Sequence, residues 1–220
     1  LGVHPNETKD LTEEDMDWLR KASGSEKIVA IGEIGLDYYW DEPDRETQEK
    51  MVCPPALHRK GHGASCGDPH RDAAKDTMDI IKAEHKGTTG GVIHCFSYTK
   101  EMAREYLNMG FFLGIGGVLT FKNARKLAET VEYAPLDRLV LETDCPYLAT
   151  CSQPGKAKFF LNLTYVADQL AAIKGIDRET VEKITWDNAR RLLWFTAIVF
   201  LLTTCSNSVS EGSKYLLPQH

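Results

Sequence analysis

Residues 91–117, GVIHCFSYTKEMAREYLNMGFFLGIGG, decide the fold class of this chain. The segment begins with the short apolar run GVIHCF, continues into KEMAREYLNMG, which closes at Gly110, and ends in a second apolar run, FFLGIGG. Neither apolar run has a polar face, which is typical of strands that are covered on both sides. A strand, a helix and a strand in this order predict two parallel strands with a helix packed across them.

The same alternation extends in both directions from this segment. Upstream we predict helices over 11–23 and 73–87 and a strand over 27–37; downstream we predict helices over 121–135, 161–175 and 177–193 and a strand over 136–144. Strictly alternating strands and helices predict a parallel sheet covered by helices. At this chain length a closed barrel is favoured over an open sheet, so the expected fold is α/β, a TIM-type (β/α)8 barrel.

Composition limits the domain organisation and the compartment. The chain has 220 residues, 42% of them apolar, which is enough for one substantial core. We predict a single barrel domain over residues 1–193 and an irregular tail over 194–220. Residues 1–10 lack the pattern of a signal peptide, and the six cysteines have no metal-finger spacing, so we expect a cytoplasmic protein.

Net charge and hydropathy indicate which partners, nucleic acid or membrane, the chain could bind. The formal net charge of −6 gives no global basic field and neither supports nor excludes a DNA substrate. The longest apolar run, residues 192–202, is shorter than the roughly 20 residues that span a bilayer. We therefore expect no membrane partner, and no feature indicates an obligate protein partner.

Three polar residues fall at the ends of predicted strands. We predict that one strand ends at Glu33 in GEIGLDYYW, another at His94 in GVIHCFS and a third at Asp144 in LVLETDCPYL. Because the carboxyl ends of parallel strands share one face of a barrel, we expect these side chains to surround a common pocket. Carboxylate and imidazole ligands suit a divalent cation, which makes hydroxide available near neutral pH. Taken singly, each residue also fits a structural role: a loop cap for Glu33, a hydrogen-bonded core histidine for His94 and the start of a turn for Asp144.

Several motifs together resemble the TatD family of metal-dependent deoxyribonucleases. GVHP, GEIGLDYYW, RDAAKDTMDII, HCFS, GIGG, LVLETDCPYL and NARRL occur over residues 1–193 in the order and spacing of that family. The resemblance implies an amidohydrolase-type (β/α)8 barrel, one or two bound divalent cations (Mg, Mn or Zn) and hydrolysis of phosphodiester bonds in DNA.

The resemblance also implies roles for individual residues. Glu33 would bind or bridge the metal ions, His94 would be a ligand, and Asp144 would be a ligand or the base that activates water, so Glu33 and Asp144 are the predicted catalytic residues. His4, in GVHP, matches the family motif but has no ligand role there.

Two ligand contributions of the family do not appear where they are expected. The family begins with a strand ending in a His-x-His pair, and we expect this chain to start after that strand, as an N-terminally truncated barrel. A further histidine should stand at the position of Pro69. His70 is the candidate for that ligand, although it lies one residue late, and a slip of one residue turns a side chain to the opposite face of a strand.

Residues 51–70 and 150–160 depart from the family pattern. Possible codons for each segment, read with the first base dropped, permit family-like text of the same length. We therefore hypothesise that paired compensating frameshifts replaced both segments; sequencing error, gene decay and real divergence each account for such a change. For residues 51–70 we expect the loss of one barrel strand, and for 150–160 the loss of a basic loop whose arginines are replaced by Pro154 and Ala157.

Three functions are open at this point. The first is metal-assisted cleavage of phosphodiester bonds in DNA. The second is hydrolysis of a cyclic amide or ester, because the same barrel chemistry polarises carbonyl groups. The third is an inactive remnant that keeps part of the fold without catalysis, which the missing His-x-His pair, the misplaced His70 and the absent basic loop favour.

Overall fold

The computed structural model describes residues 1–25, 27–38, 44–52, 61–65, 71–84, 91–143 and 162–193. In this part of the chain the strands are β1 (Ala30–Ile34), β2 (Gly61–Ser65), β3 (Val92–His94), β4 (Phe112–Ile115) and β5 (Leu139–Leu141). They form one sheet in chain order, and every neighbouring pair is parallel. The carboxyl ends of the strands therefore lie along one edge.

Helices connect and cover these strands. They are α1 (Glu13–Ser23), α2 (Arg45–Val52), α3 (Arg71–Glu84), α4 (Lys100–Asn108), α5 (Arg125–Tyr133), α6 (Leu163–Lys174) and α7 (Arg178–Leu193), with short 3-10 helices at Pro5–Asp10, Gly117–Thr120 and Leu136–Arg138. The predicted helices over 11–23, 73–87, 100–110, 161–175 and 177–193 and the predicted strands over 27–37, 91–96 and 111–117 are confirmed, each within a few residues at its ends. Among the described helices, none is long and apolar enough to cross a bilayer.

Two further elements, the helix over 121–135 and the strand over 136–144, are confirmed in type, but their predicted boundaries were wrong by a few residues. The helix predicted from residue 121 begins at Arg125, because a hydrogen bond from Ala124 N–H to the Phe121 carbonyl closes a turn before it. The strand predicted over 136–144 is shorter: it begins after the 3-10 helix Leu136–Arg138 and ends at Leu141. Leu141 is paired with Ile115, the last residue of β4, and the described ladder between β4 and β5 ends at this pair.

The expected loss of a strand from residues 51–70 was also wrong. Gly61–Ser65 forms β2, which is paired with β1 on one side and with β3 on the other. Backbone N–H and C=O groups on both neighbouring strands require partners, and the backbone of almost any sequence can supply them. The gap between β1 and β3 is therefore filled by a strand whose sequence has no apolar period. The other anomalous segment, 150–160, and the predicted tail, 194–220, lie outside the described residues.

The core lies between the sheet and the helices that follow β3. Strand residues Ile93, Leu113 and Leu139 are fully buried and pack against helix residues of the same cluster. The largest buried residues of this cluster are Tyr106, Phe96, Ile93, Leu113, Ile115, Leu139, Leu170, Val131, Val166 and Val181. Burial of these side chains holds the carboxyl ends of β3, β4 and β5 in place.

One buried amide ties the last helix to the sheet. Asn188, in the NARRL motif of α7, donates hydrogen bonds from Nδ2 to the carbonyls of Leu136 (2.8 Å) and Leu139 (2.7 Å). The side chain is almost fully buried. Buried amide donors need partners, and here the partners are the backbone carbonyls at the start of β5. The NARRL motif therefore positions the strand that leads to the predicted site.

Candidate metal centre

Two of the predicted ligands meet at the carboxyl edge of the sheet. Glu33 is the next-to-last residue of β1, and His94 is the last residue of β3. Glu33 Oε1 lies 3.9 Å from His94 Nε2, with 41% of the glutamate side chain and 22% of the histidine side chain exposed. The pair is therefore accessible from one side and packed on the other, as a ligand pair with open positions requires.

The first residues of the chain run beside β1 and add a second histidine to this edge. The N–H of Gly32 donates to the carbonyl of Leu1 at 2.9 Å. This pairing brings His4 Nε2 to 3.8 Å from Glu33 Oε2, the oxygen that does not face His94. The Glu33 carboxylate thus lies between two imidazoles, which is a contact that the motif GVHP did not predict.

A second carboxylate contacts the other side of the His94 ring. Glu142 is the first residue after β5, and its Oε2 accepts a hydrogen bond from His94 Nδ1 at 2.8 Å. Its Oε1 accepts the N–H of Cys95, which has a φ of 49°. The Cys95 thiol turns back toward the ring, with Sγ 3.6 Å from His94 Nε2.

The environment of His94 favours its protonated form. Burial of the ring lowers the pKa of His94, but hydrogen bonds with Cys95 and with the Glu142 carboxylate outweigh this effect and raise the pKa to about 12. A cation binds an imidazole nitrogen only when that nitrogen carries no proton. A proton and a cation therefore compete for the same atom, His94 Nε2.

The donors fit a divalent cation. Two atoms that bind one ion through bonds of about 2.1 Å lie at most about 4.2 Å apart. The separations from His94 Nε2 to Glu33 Oε1 (3.9 Å) and to Cys95 Sγ (3.6 Å) fall within this limit. In the part of the chain that the structure describes, His94, Cys95 and Glu142 also offer ligand atoms that lie within 4.8 Å of one another. Imidazole and thiolate donors suit Zn²⁺, and the carboxylates suit Mg²⁺ and Mn²⁺.

Comparison with known proteins identifies the family. The family model described as TatD related DNase matches residues 1–194. This chain belongs to the TatD family. The uncharacterized metal-dependent hydrolase YabD of Bacillus subtilis is 41% identical over 192 residues, which cover 87% of this chain and 75% of that protein. The 3'-5' ssDNA/RNA exonuclease TatD of Rahnella is 31% identical, over 89% of this chain and 76% of its own length.

Solved structures show the same fold. A TatD-family hydrolase from Entamoeba histolytica is 27% identical, with a TM-score of 0.69, and covers 87% of this chain and 73% of that structure. The TatD homologue YJJV from Escherichia coli gives a TM-score of 0.77 at 23% identity over 88% of this chain and 75% of its own. Together with the parallel, helix-covered sheet, this similarity confirms the predicted α/β class and the TIM-type barrel of the TatD family.

The structure describes only part of the predicted TatD site. It brings Glu33 and His94 together, while Asp144 and His70 lie outside the described residues. Sequence reasoning missed Glu142 and Cys95. The signal for Glu142 was present, because the end of β5 at Leu141 places Glu142, rather than Asp144, directly at the strand end. No sequence signal indicated Cys95, because the direction of its side chain depends on its positive backbone φ of 49°.

A buried glutamine forms hydrogen bonds to the loop that follows Glu33 in this TatD-family chain. Gln48, on α2, accepts the N–H of Asp37 through Oε1 at 2.8 Å and donates from Nε2 to the carbonyl of the same residue at 2.9 Å. Gln48 is only 1% exposed. Both backbone groups of Asp37 are therefore held by one side chain, which anchors the segment leading away from β1.

Replacing Gln48 with leucine is expected to reduce the free energy of unfolding by about 1–3 kcal/mol, because the shape is kept while both bonds to Asp37 are lost. Denaturant unfolding monitored by circular dichroism measures this change. The same substitution at Gln169, an exposed residue of α6, is the matched control and should change stability by less than about 0.5 kcal/mol. Equal effects at the two positions would show that the Gln48 bonds contribute nothing.

Proposed function

We propose that this chain is a divalent-cation-dependent hydrolase that cleaves phosphodiester bonds of DNA. The observation that carries the proposal is the approach of Glu33 Oε1 and His94 Nε2 to 3.9 Å at the carboxyl edge of a parallel sheet. Ligands in TIM-type barrels bind at this edge, where the residues that perform chemistry come from the ends of different strands. A carboxylate and an imidazole from β1 and β3 meet that description.

Each predicted site residue has a role in the proposal. Glu33 and His94 bind the cation, and Asp144 completes the set as a ligand or as the base that takes a proton from water; His70 is an additional candidate ligand. A bound divalent cation supplies hydroxide near neutral pH and neutralises charge that develops on a phosphoryl oxygen. The half-exposed Glu33 leaves the site open to substrate, and His4 Nε2 lies 3.8 Å from its second oxygen.

The choice of DNA as substrate is supported by relatives. The matching family model is described as a DNase, and the Rahnella relative is named an exonuclease of single-stranded DNA and RNA. The chain itself has a net charge of −6 and therefore does not attract a polyanion through its overall field. Phosphate binding would then depend on local charge at the site, including that of the cation.

Removal of divalent cations is expected to abolish DNA cleavage. After chelation and buffer exchange, cleavage of a labelled single-stranded oligonucleotide should fall by at least about 100-fold and should return when Mg²⁺ or Mn²⁺ is added. Parallel reactions with a supercoiled plasmid and with a cyclic amide test the alternatives.

Each outcome of this experiment selects one function. Cation-dependent cleavage of either DNA supports the proposal. Turnover of the amide without DNA cleavage would identify an amide hydrolase on the same barrel. Absence of all turnover, together with no calorimetric signal for divalent cations, would identify an inactive remnant.

A further inference from the structure

We infer that Glu142 is a positioning residue of this centre, which holds the His94 ring so that Nε2 faces the cation site. The inference rests on the proposed function, because it assigns His94 as a ligand. Glu142 lies at the end of β5, two strands away from β3 in the sheet, and its side chain is 16% exposed. It is therefore a largely buried carboxylate, and one of its oxygens faces the His94 imidazole.

The hydrogen bond fixes which nitrogen of the ring faces Glu33. Glu142 Oε2 accepts a hydrogen bond from His94 Nδ1 at 2.8 Å, and Nε2 is the nitrogen that faces Glu33. A ring whose Nδ1–H is held in this way has one orientation, in which Nε2 is the atom that a cation would bind. Carboxylates in this position orient metal-binding histidines and increase the basicity of the ligand nitrogen.

The second oxygen of Glu142 fixes the carboxylate itself. Oε1 accepts the backbone N–H of Cys95, the residue that follows His94. Cys95 has a positive φ, and the next N–H, that of Phe96, donates to the carbonyl of Gly114 at 2.9 Å. One side chain from β5 therefore holds both the ring of His94 and the backbone immediately after it, so the ring and its strand move together.

The neighbouring strand leaves space for this carboxylate. A Cβ atom at Gly114, in β4, would collide with Glu142 Oε2 and lie 2.6 Å from its Cδ. No side chain larger than hydrogen fits at Gly114 unless the carboxylate moves away from His94. The arrangement thus involves three strands: β3 supplies the ligand, β5 supplies the residue that orients it, and β4 supplies the space.

Cation affinity in a double-mutant cycle tests the inference. Glu142→Ala is expected to weaken binding of Mn²⁺ or Zn²⁺ by about 10–100-fold in titration calorimetry. Gly114→Ala should weaken it similarly, because it displaces the same carboxylate. The double variant should bind no more weakly than Glu142→Ala alone, since the displaced group is already absent. Glu142→Gln should recover part of the affinity, because the side-chain oxygen of glutamine can still accept a hydrogen bond from His94 Nδ1.

Two further measurements complete the test. Glu129→Ala removes an exposed carboxylate that pairs with Arg125 and should leave cation affinity unchanged. In the cation-free protein with ¹⁵N-labelled histidine, the Nδ1 proton of His94 should give a protected, hydrogen-bonded signal that disappears in Glu142→Ala. Thermal unfolding of each variant establishes that the protein is folded in the assay.

The outcomes separate this inference from the proposed function. One outcome would overturn the positioning role and leave the proposed function intact. In that outcome Glu142→Ala keeps both the cation affinity and the Nδ1 signal, while His94→Ala loses cation binding. Additive losses in the double variant would also overturn it, because they would assign the two residues separate structural effects. No cation binding by the unaltered chain would overturn the proposed function, while the Nδ1 signal alone would still decide whether Glu142 orients the ring.

Discussion

Replacing His94 with alanine is expected to reduce both divalent-cation affinity and DNA cleavage by more than about 100-fold, which exceeds the 10–100-fold effect typical of residues that only orient a ligand. The reason is geometric. His94 Nε2 is the atom that faces Glu33 Oε1 at 3.9 Å and Cys95 Sγ at 3.6 Å, so its removal takes away the donor shared by these contacts. Titration calorimetry and an oligonucleotide cleavage assay measure the two effects.

The control for His94→Ala is a variant that loses a polar side chain far from the centre. Glu129→Ala, on the exposed face of α5, should keep cation affinity and cleavage within about twofold of the original chain. A His94→Ala protein that is folded and retains cleavage within a few-fold would contradict the assignment of His94 as a ligand. Loss of cleavage with full cation affinity would instead place His94 on the substrate.

Replacing Tyr106 with alanine is expected to reduce the free energy of unfolding by about 3–5 kcal/mol, the largest stability change that we predict for a single residue. Tyr106 is fully buried in the cluster between α4 and the sheet. Its ring packs edge-on against Phe96 (6.5 Å between centroids) and Phe111 (6.0 Å). Removing it leaves a cavity that the surrounding side chains fill only in part. Chemical unfolding monitored by circular dichroism measures the loss.

Tyr133 provides the matched control for this substitution. It is 45% exposed at the end of α5. Tyr133→Ala removes the same atoms from a position that water already reaches, and its cost should be less than about 1 kcal/mol. Similar costs for the two tyrosines would contradict the conclusion that the core lies where Tyr106, Phe96 and Phe111 meet.

Much of this fold could be predicted because the local signals agree. The capping box of α1 is one example: Thr12 and Asp15 bond to each other's backbone N–H groups, as their spacing in LTEED indicates. The end of α6 is another, since Gly175 has a φ of 66°, a conformation that glycine adopts without strain. Such signals depend on residues three or four positions apart and need no knowledge of the rest of the chain.

The departures arise where contacts across the sheet decide the outcome. The end of β5 depends on where β4 ends, and the formation of β2 from residues without an apolar period depends on the unpaired backbone of its neighbours. The contact between Glu142 and His94 joins residues 48 positions apart. None of these partners can be identified from the residues immediately around them.

The sequence by itself determined the class of fold, the family and two residues of the centre, because apolar period and strand-end position are properties of short segments. Only the tertiary structure decided which oxygen and which nitrogen face each other, that Glu142 contacts the ring of His94, and that Gly114 must remain small beside them. The physical reason is that these relations are distances between atoms from different strands or strand ends, such as 2.8 Å from Glu142 Oε2 to His94 Nδ1 and 3.9 Å from Glu33 Oε1 to His94 Nε2, and the packing of the sheet sets those distances.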